Sequence, residues 1–160
     1  MVDSSSAKNQ STRVSILIKA PRKAVYQAFL DPHAVASWLP QNDMTGQVHE
    51  FDPRVGGRFR ISLTYQHAER SLHGKTSADT DTVRGRFVEL IPSEKIVQIV
   101  EFESQQPEFA GEITITATYT NAVGGTEVTM LCENIPKGIR PEDNEMGCRE
   151  SLQKLAALLE

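Results

Sequence analysis

Four histidines, His33, His49, His67 and His73, are the side chains that a metal ion or a general base would most readily use. None stands four residues from another on a helical stretch, and none belongs to a metal-binding spacing with carboxylates or cysteines. There is no nucleophile elbow and no glycine-rich phosphate loop. The two cysteines, Cys132 and Cys148, lack the close spacing of a zinc or redox pair and read as two reduced thiols in a core. No catalytic residue, metal or cofactor is assigned. An enzyme built from this chain would work by shaping a substrate and placing one acid or base, and the residue set favours a binding or interaction module over that.

The side chains left to recognise a ligand are apolar or weakly polar. Trp38 closes a short helical stretch beside Leu39-Pro40, and its large apolar area with a single N–H donor suits either a core plug or a cavity rim. Further on, Phe59, Ile61, Leu63 and Tyr65 alternate with Arg58, Arg60, Ser62 and Thr64, so one face of a strand is apolar and the other charged or polar. If the apolar row of each strand is the concave one, Trp38, Phe59, Ile61, Leu63, Tyr65, Phe87, Tyr119 and Cys148 form the wall of an apolar site. Asn144 and Glu145, a turn before Cys148, would supply its polar contacts. Gly147 interrupts the same helix at a cost of about 1 kcal/mol relative to alanine. The space beside it is therefore needed, either by a closely approaching neighbour or by a ligand.

The elements that position these residues follow from periodicity and punctuation. Residues 1–10, with Ser4-Ser5-Ser6, Lys8, Asn9 and Gln10, cannot offset the entropy of ordering and read as a disordered tail. In 12–19, Val14, Ile16 and Ile18 alternate as in a half-buried strand. Leu17 breaks the alternation, as an end strand covered on both faces would. Pro21 opens a short helix carrying Ala24, Val25, Ala28 and Phe29, and Asp31-Pro32 opens a second carrying Val35, Trp38 and Leu39, which Pro40 stops.

Strand patterns then run over 48–51, 58–65, 83–90, 96–102, 113–119 and 128–132, separated by Gly56-Gly57, Pro92, Pro107 and Gly124-Gly125. Between the second and third of these, 67–81 is a long polar hairpin loop without periodicity, suited to a lid or a mobile tip. Pro141-Glu142-Asp143 starts a helix running to Glu160, with Cys148, Leu152, Leu155 and Leu159 on one stripe. The order is strand, two helices, six strands, helix. That segregation defines an α+β fold: a curved antiparallel sheet of about seven strands around a long C-terminal helix, with two short helices after the first strand.

With 160 residues, 39% hydrophobic and 24% charged, the chain suits one core. We read 11–160 as a single domain. The net charge of −4 is mild and the basic residues are scattered, which argues against nucleic acid as a partner. Arg54, Arg58 and Arg60 are the nearest approach to a basic patch and read as a solvated strand face. No stretch is apolar enough to span a membrane and the N-terminus has no signal-peptide core, so a cytoplasmic address is expected. Oligomeric state is left open.

Several short motifs together resemble one family. They are Ala20-Pro21 followed by Val25 and Ala28, Asp31-Pro32 leading to Trp38-Leu39-Pro40, and Phe51-Asp52-Pro53-Arg54-Val55-Gly56-Gly57-Arg58-Phe59. Gly85 with Glu89-Leu90-Ile91-Pro92, Gly125-Thr126-Glu127-Val128 and the helix from Gly147 to Leu155 complete the set. In this order they resemble the bacterial homologues of the activator of the ninety-kilodalton heat-shock protein's ATPase, within the START-like (SRPBCC) superfamily. The resemblance implies a helix-grip fold, often with an apolar cavity between sheet and helix. It implies no common chemistry, because the superfamily includes lipid carriers, ring-closing enzymes, hormone receptors and chaperone regulators. In the activator itself this domain is one of two, and the present length holds one, which argues against direct chaperone stimulation.

Three functions stand side by side. The first is a module that binds a small apolar molecule between sheet and C-terminal helix. The second is an interaction module with a chaperone as its partner, presenting an outer surface. The third is a cyclase- or hydrolase-type enzyme using the same cavity.

Overall fold

The computed structural model describes residues 10–66, 76 and 79–160. Residues 1–9 and most of 67–81 lie outside the described residues, and with them the expected tail and most of the expected loop. Gln10, assigned to that tail from sequence, is instead the first residue of a strand. Its side-chain amide donates to the Pro136 and Ile139 carbonyls at 3.1 and 3.2 Å, which holds the chain start against the end of the last strand.

The strands are β1 (Gln10–Ile18), β2 (Met44–Phe51), β3 (Arg58–Tyr65), β4 (Thr80–Ile91), β5 (Lys95–Phe102), β6 (Ile113–Ala122) and β7 (Gly125–Ile135). They form a seven-stranded sheet in the order β1-β7-β6-β5-β4-β3-β2, antiparallel throughout. From β2 to β7 it is a meander, and within the sheet the pairing of β1 with β7 sets the first strand beside the last. The helices are α1 (Arg22–Phe29), α2 (Pro32–Trp38) and α3 (Pro141–Leu159), with a short 3-10 turn at Pro107–Phe109. This is the helix-grip α+β architecture.

Period-two patterning sets the faces. On β3, Phe59 and Ile61 are buried while Arg58 is exposed and Arg60 half-buried. On β1, Val14 and Ile18 are buried, but Leu17 is 45% exposed. The expectation that the end strand is covered on both faces is corrected here: β1 is an edge strand covered on one face, and Leu17 points out of the other.

At α2 the side chain of Asp31 accepts the backbone N–H of His33 at 2.9 Å, and Pro32 occupies a first-turn position where no N–H is missed. Gly56, with φ of 84°, provides the left-handed residue of the β2–β3 turn. Gly85 serves a different need. A Cβ there would run into the Ile99 carbonyl and the Phe59 ring, so the glycine lets an aromatic side chain lie across β4.

The helix α3 packs on β1 and against α1 and α2. Leu152 and Leu155 are fully buried beneath it, and Cys148 and Leu159 are partly buried on the same stripe. Two hydrogen bonds tie it to the end of α2: the Ser151 hydroxyl donates to the Leu39 carbonyl at 2.6 Å, and the Lys154 ammonium to the Pro40 carbonyl at 2.8 Å.

Candidate functional site

Aromatic side chains gather at the inner face of the sheet in two groups, the first of them shared with α1 and α2. In the first, the Tyr119 ring meets Tyr26 edge-on with centroids 5.9 Å apart and Phe29 at 5.3 Å, and Phe29 lies 4.7 Å from Trp38. Trp38 donates its indole N–H to the Ala28 carbonyl at 3.0 Å and is 3% exposed. Of the two roles open to Trp38, the structure places it in the core. In the second group Phe59 stands 5.1 Å from Phe87 and 6.3 Å from Phe51. Ile61 lies beside them in the same core, and Leu63 packs partly buried at its margin. Tyr65, at the end of β3, is half-buried.

Tyr119 stands out by its chemistry. It is 2% exposed, and its hydroxyl has no hydrogen-bond partner among the described residues. Buried hydroxyls almost always have one, since leaving a donor unsatisfied costs about 1–3 kcal/mol. Burial, with the nearby Tyr26 adding to it, pushes the Tyr119 phenol well above its ordinary range. The group is therefore a neutral O–H donor throughout the physiological pH range.

Two polar residues of the inner row were missed from sequence. Asp81 pairs across from Leu63 and is 5% exposed, and Gln98 sits on β5 opposite Phe87 and Ile115. Gln98 is half-buried although Ile96 and Val100, its neighbours on the same face, are buried. Strict alternation from Ile96 would have turned Gln98 inward. Asp81 gave no such signal, because it was assigned to the end of the long loop, whereas β4 begins at Thr80.

At the N-terminal half of α3, Asn144 accepts a short hydrogen bond from the Thr12 hydroxyl. Its side-chain oxygen lies 3.9 Å from the Cys148 sulfur, which is 3.8 Å from the Cys132 sulfur. The hydrogen bond from Cys148 holds the Cys132 thiol below its usual range against the opposing effect of burial. The same bond, together with burial, raises Cys148. Asn144 and Cys148 are thus brought together with Thr12 and Cys132. Glu145 is not: it is exposed and lies 3.6 Å from Arg149, its i+4 neighbour. Gly147 is buried, and the side-chain amide of Gln41 lies against it, in the place where a Cβ would stand.

Open clefts among the described residues include the following pair. One, of about 560 Å3, lies between the start of α1 and the β5–β6 pair and is lined by Arg22, Glu94, Lys95, Thr118, Tyr119 and Asn121 among others. Tyr119 thus belongs both to this cleft and to the aromatic interior. The second, of about 390 Å3, runs over the outer face of β3–β5. There Arg60 makes a two-pronged pair with Glu103 at 2.7 and 2.9 Å, Arg84 meets Glu101 at 2.9 Å, and Arg86 meets Glu112 at 3.3 Å. Among the described residues no group of three or more histidine, cysteine or acidic side chains could hold a metal ion. No helix among them is long and apolar enough to cross a membrane.

A family model described as Activator of Hsp90 ATPase homolog 1-like protein matches residues 19–160. Among solved structures, a protein of Chromobacterium violaceum is similar at 32% identity with a TM-score of 0.84, the match covering 94% of this chain and 96% of that one. The solution structure of an AHSA1-like protein from Aeromonas hydrophila shares the fold at 17% identity, with a TM-score of 0.69 over 94% of this chain and 96% of that one. A Rhodobacter sphaeroides protein does so at 18% identity and a TM-score of 0.76, covering 93% and 91%. No curated protein matches the chain by sequence.

Proposed function

Since the chain belongs to the Activator of Hsp90 ATPase homolog 1-like family, we propose that it binds a small, largely apolar molecule with one oxygen acceptor between its sheet and C-terminal helix. The observation that carries this reading is the Tyr119 hydroxyl, buried against Tyr26 and Phe29 with no hydrogen-bond partner among the described residues. A ligand carbonyl or ether oxygen accepting from it would satisfy the donor, and a hydrocarbon body would suit Phe59, Ile61, Leu63, Tyr65, Phe87 and Cys148, with Trp38 backing the site from the core. Asn144, bonded to Thr12, is the proposed polar contact from the last helix, whereas Glu145 faces solvent and is left out of the proposed contacts. The half-buried Gln98 and Leu63 make the inner face reachable from outside.

Native mass spectrometry of protein purified from cells tests for a co-purifying molecule, and anilinonaphthalene sulfonate serves as a fluorescent apolar probe. Tyr119→Phe removes only the hydroxyl. A ligand that accepts from it should bind about 5- to 10-fold more weakly to the variant, while the unliganded variant is as stable as the parent or more so. No co-purifying molecule, no probe binding and a destabilised Tyr119→Phe would together overturn the proposal.

A second reading, an interaction module for a chaperone, is favoured by the outer ladder of Arg60–Glu103, Arg84–Glu101 and Arg86–Glu112, which presents both charge signs in fixed positions. Capture of a purified ninety-kilodalton chaperone by the parent, lost in Arg84→Glu, would support it. Equal capture by both, or none, would remove that surface from consideration.

A further inference from the structure

Cys132 and Cys148 are carried by different elements, β7 and the second turn of α3, yet their sulfurs are 3.8 Å apart and both thiols are free. We propose that this pair is a reversible thiol modification site, which a hydroperoxide converts to a disulfide tying α3 to the sheet. A disulfide is about 2.05 Å long, so the sulfurs must close by about 1.8 Å. Cys148 is half-buried and Cys132 is 1% exposed, so the helix side of the pair is the side that solvent reaches. Hydrogen bonds from the Cys148 and Thr12 side chains hold the Cys132 thiol below its usual range, so Cys132 is the sulfur nearer to a reactive thiolate, and Cys148, 3.8 Å away, is the partner that closes the bond.

The chemistry balances with the peroxide as oxidant. One sulfur attacks the O–O bond, takes an oxygen as a sulfenic acid and releases the alcohol, or water when the oxidant is hydrogen peroxide. The other sulfur then attacks the sulfenic sulfur and expels water. Two thiols and one hydroperoxide thus give one disulfide, one alcohol and one water, the two electrons passing from the sulfurs to the peroxide bond. A dithiol reductant returns the pair to thiols by exchange.

Nothing in this step depends on a ligand between sheet and helix. The purified chain is treated with hydrogen peroxide, alkylated under denaturing conditions, digested and mapped. We expect the intact mass to fall by two hydrogen atoms, a peptide pair joined through Cys132 and Cys148, and full recovery of both thiols with dithiothreitol. The melting temperature should rise by about 5 °C or more on oxidation. Amide exchange across the first two turns of α3 should slow. Cys148→Ser should show neither the mass loss nor the rise, and because the cross-link is mapped in the parent chain, the test stands even if that variant folds poorly. Sulfinic or sulfonic acid at Cys148 with Cys132 left as a thiol, or covalent dimers in place of the internal link, would overturn the proposal.

Discussion

The side-chain amide of Gln41 occupies the place where a Cβ on Gly147 would stand, so the loop after α2 closes on α3 at its residue without a side chain. The obstacle to a larger residue is thus the mobile end of a glutamine. A methyl group displaces an amide that can rotate, while alanine improves helix propensity by about 1 kcal/mol over glycine. Gly147→Ala should change stability by less than about 1 kcal/mol, in the stabilising direction. Urea unfolding checks this. A loss above about 2 kcal/mol would mean that Gln41 cannot yield and that the contact is rigid.

Leu152 and Leu155 are fully buried on the face of α3 that the rest of the fold covers. Truncating either to alanine leaves a cavity in a region where helix and strand are both fixed by other contacts. Leu155→Ala should cost about 2–5 kcal/mol, and Leu152→Ala a similar amount. Thermal melts of the two variants read the loss directly, and a drop below about 1 kcal/mol at both would show that the grip closes elsewhere.

The Ser151 hydroxyl is the donor that joins α3 to the Leu39 carbonyl at 2.6 Å. Ser151→Ala removes it without adding bulk and deprives a carbonyl of its donor, a change expected to cost about 1–2 kcal/mol. Ser151→Thr, which keeps the hydroxyl, should recover part of this loss. Equal stabilities for alanine and serine would show that water replaces the bond.

Glu103 bears on acid stability. The hydrogen bond from Arg60 holds its carboxyl below the usual range, with burial opposing and the charges of Arg60 and Arg84 adding to the lowering. A depressed carboxylate contributes stability above its unfolded value, near 4.5, and that contribution is lost as pH falls through the lower folded value. The parent should therefore lose stability on acidification below about 4.5 more steeply than Glu103→Gln, and their difference should narrow there. Urea midpoints of both proteins measured between pH 7 and 3 give the comparison. Parallel pH curves would mean that the pair adds nothing to folding.

Much of the fold was legible because its determinants are local. Alternation placed Phe59 and Ile61 inward and Arg58 outward, Asp31-Pro32 marked a helix start, and the spacing of Leu152 and Leu155 set the buried face of α3. Leu17 misled because its neighbours alternate in type while nothing in the sequence says how many faces an end strand has covered. The candidate site was legible only in part. Wall residues follow from the inner face, but Gln98 and Asp81 belong to it through register, and Glu145 leaves it through the turn of the helix.

Element order, the two short helices after the first strand, the meander and the apolar stripe of the last helix can all be read along the chain, since each rests on a repeat of 2.0 or 3.6 residues within one segment. Which distant residues meet depends instead on the packing of whole elements. Pairing of β1 with β7 sets Thr12 across from Cys132, and the descent of α3 onto β1 and the sheet brings Asn144 to Thr12 and Cys148 to Cys132. The packing of α1 on β6 leaves the Tyr119 hydroxyl buried with no partner among the described residues. These meetings span most of the chain, and no local period encodes them. They follow from how the whole sheet curls around one helix, and so the chemistry of the interior appears only when the chain is folded.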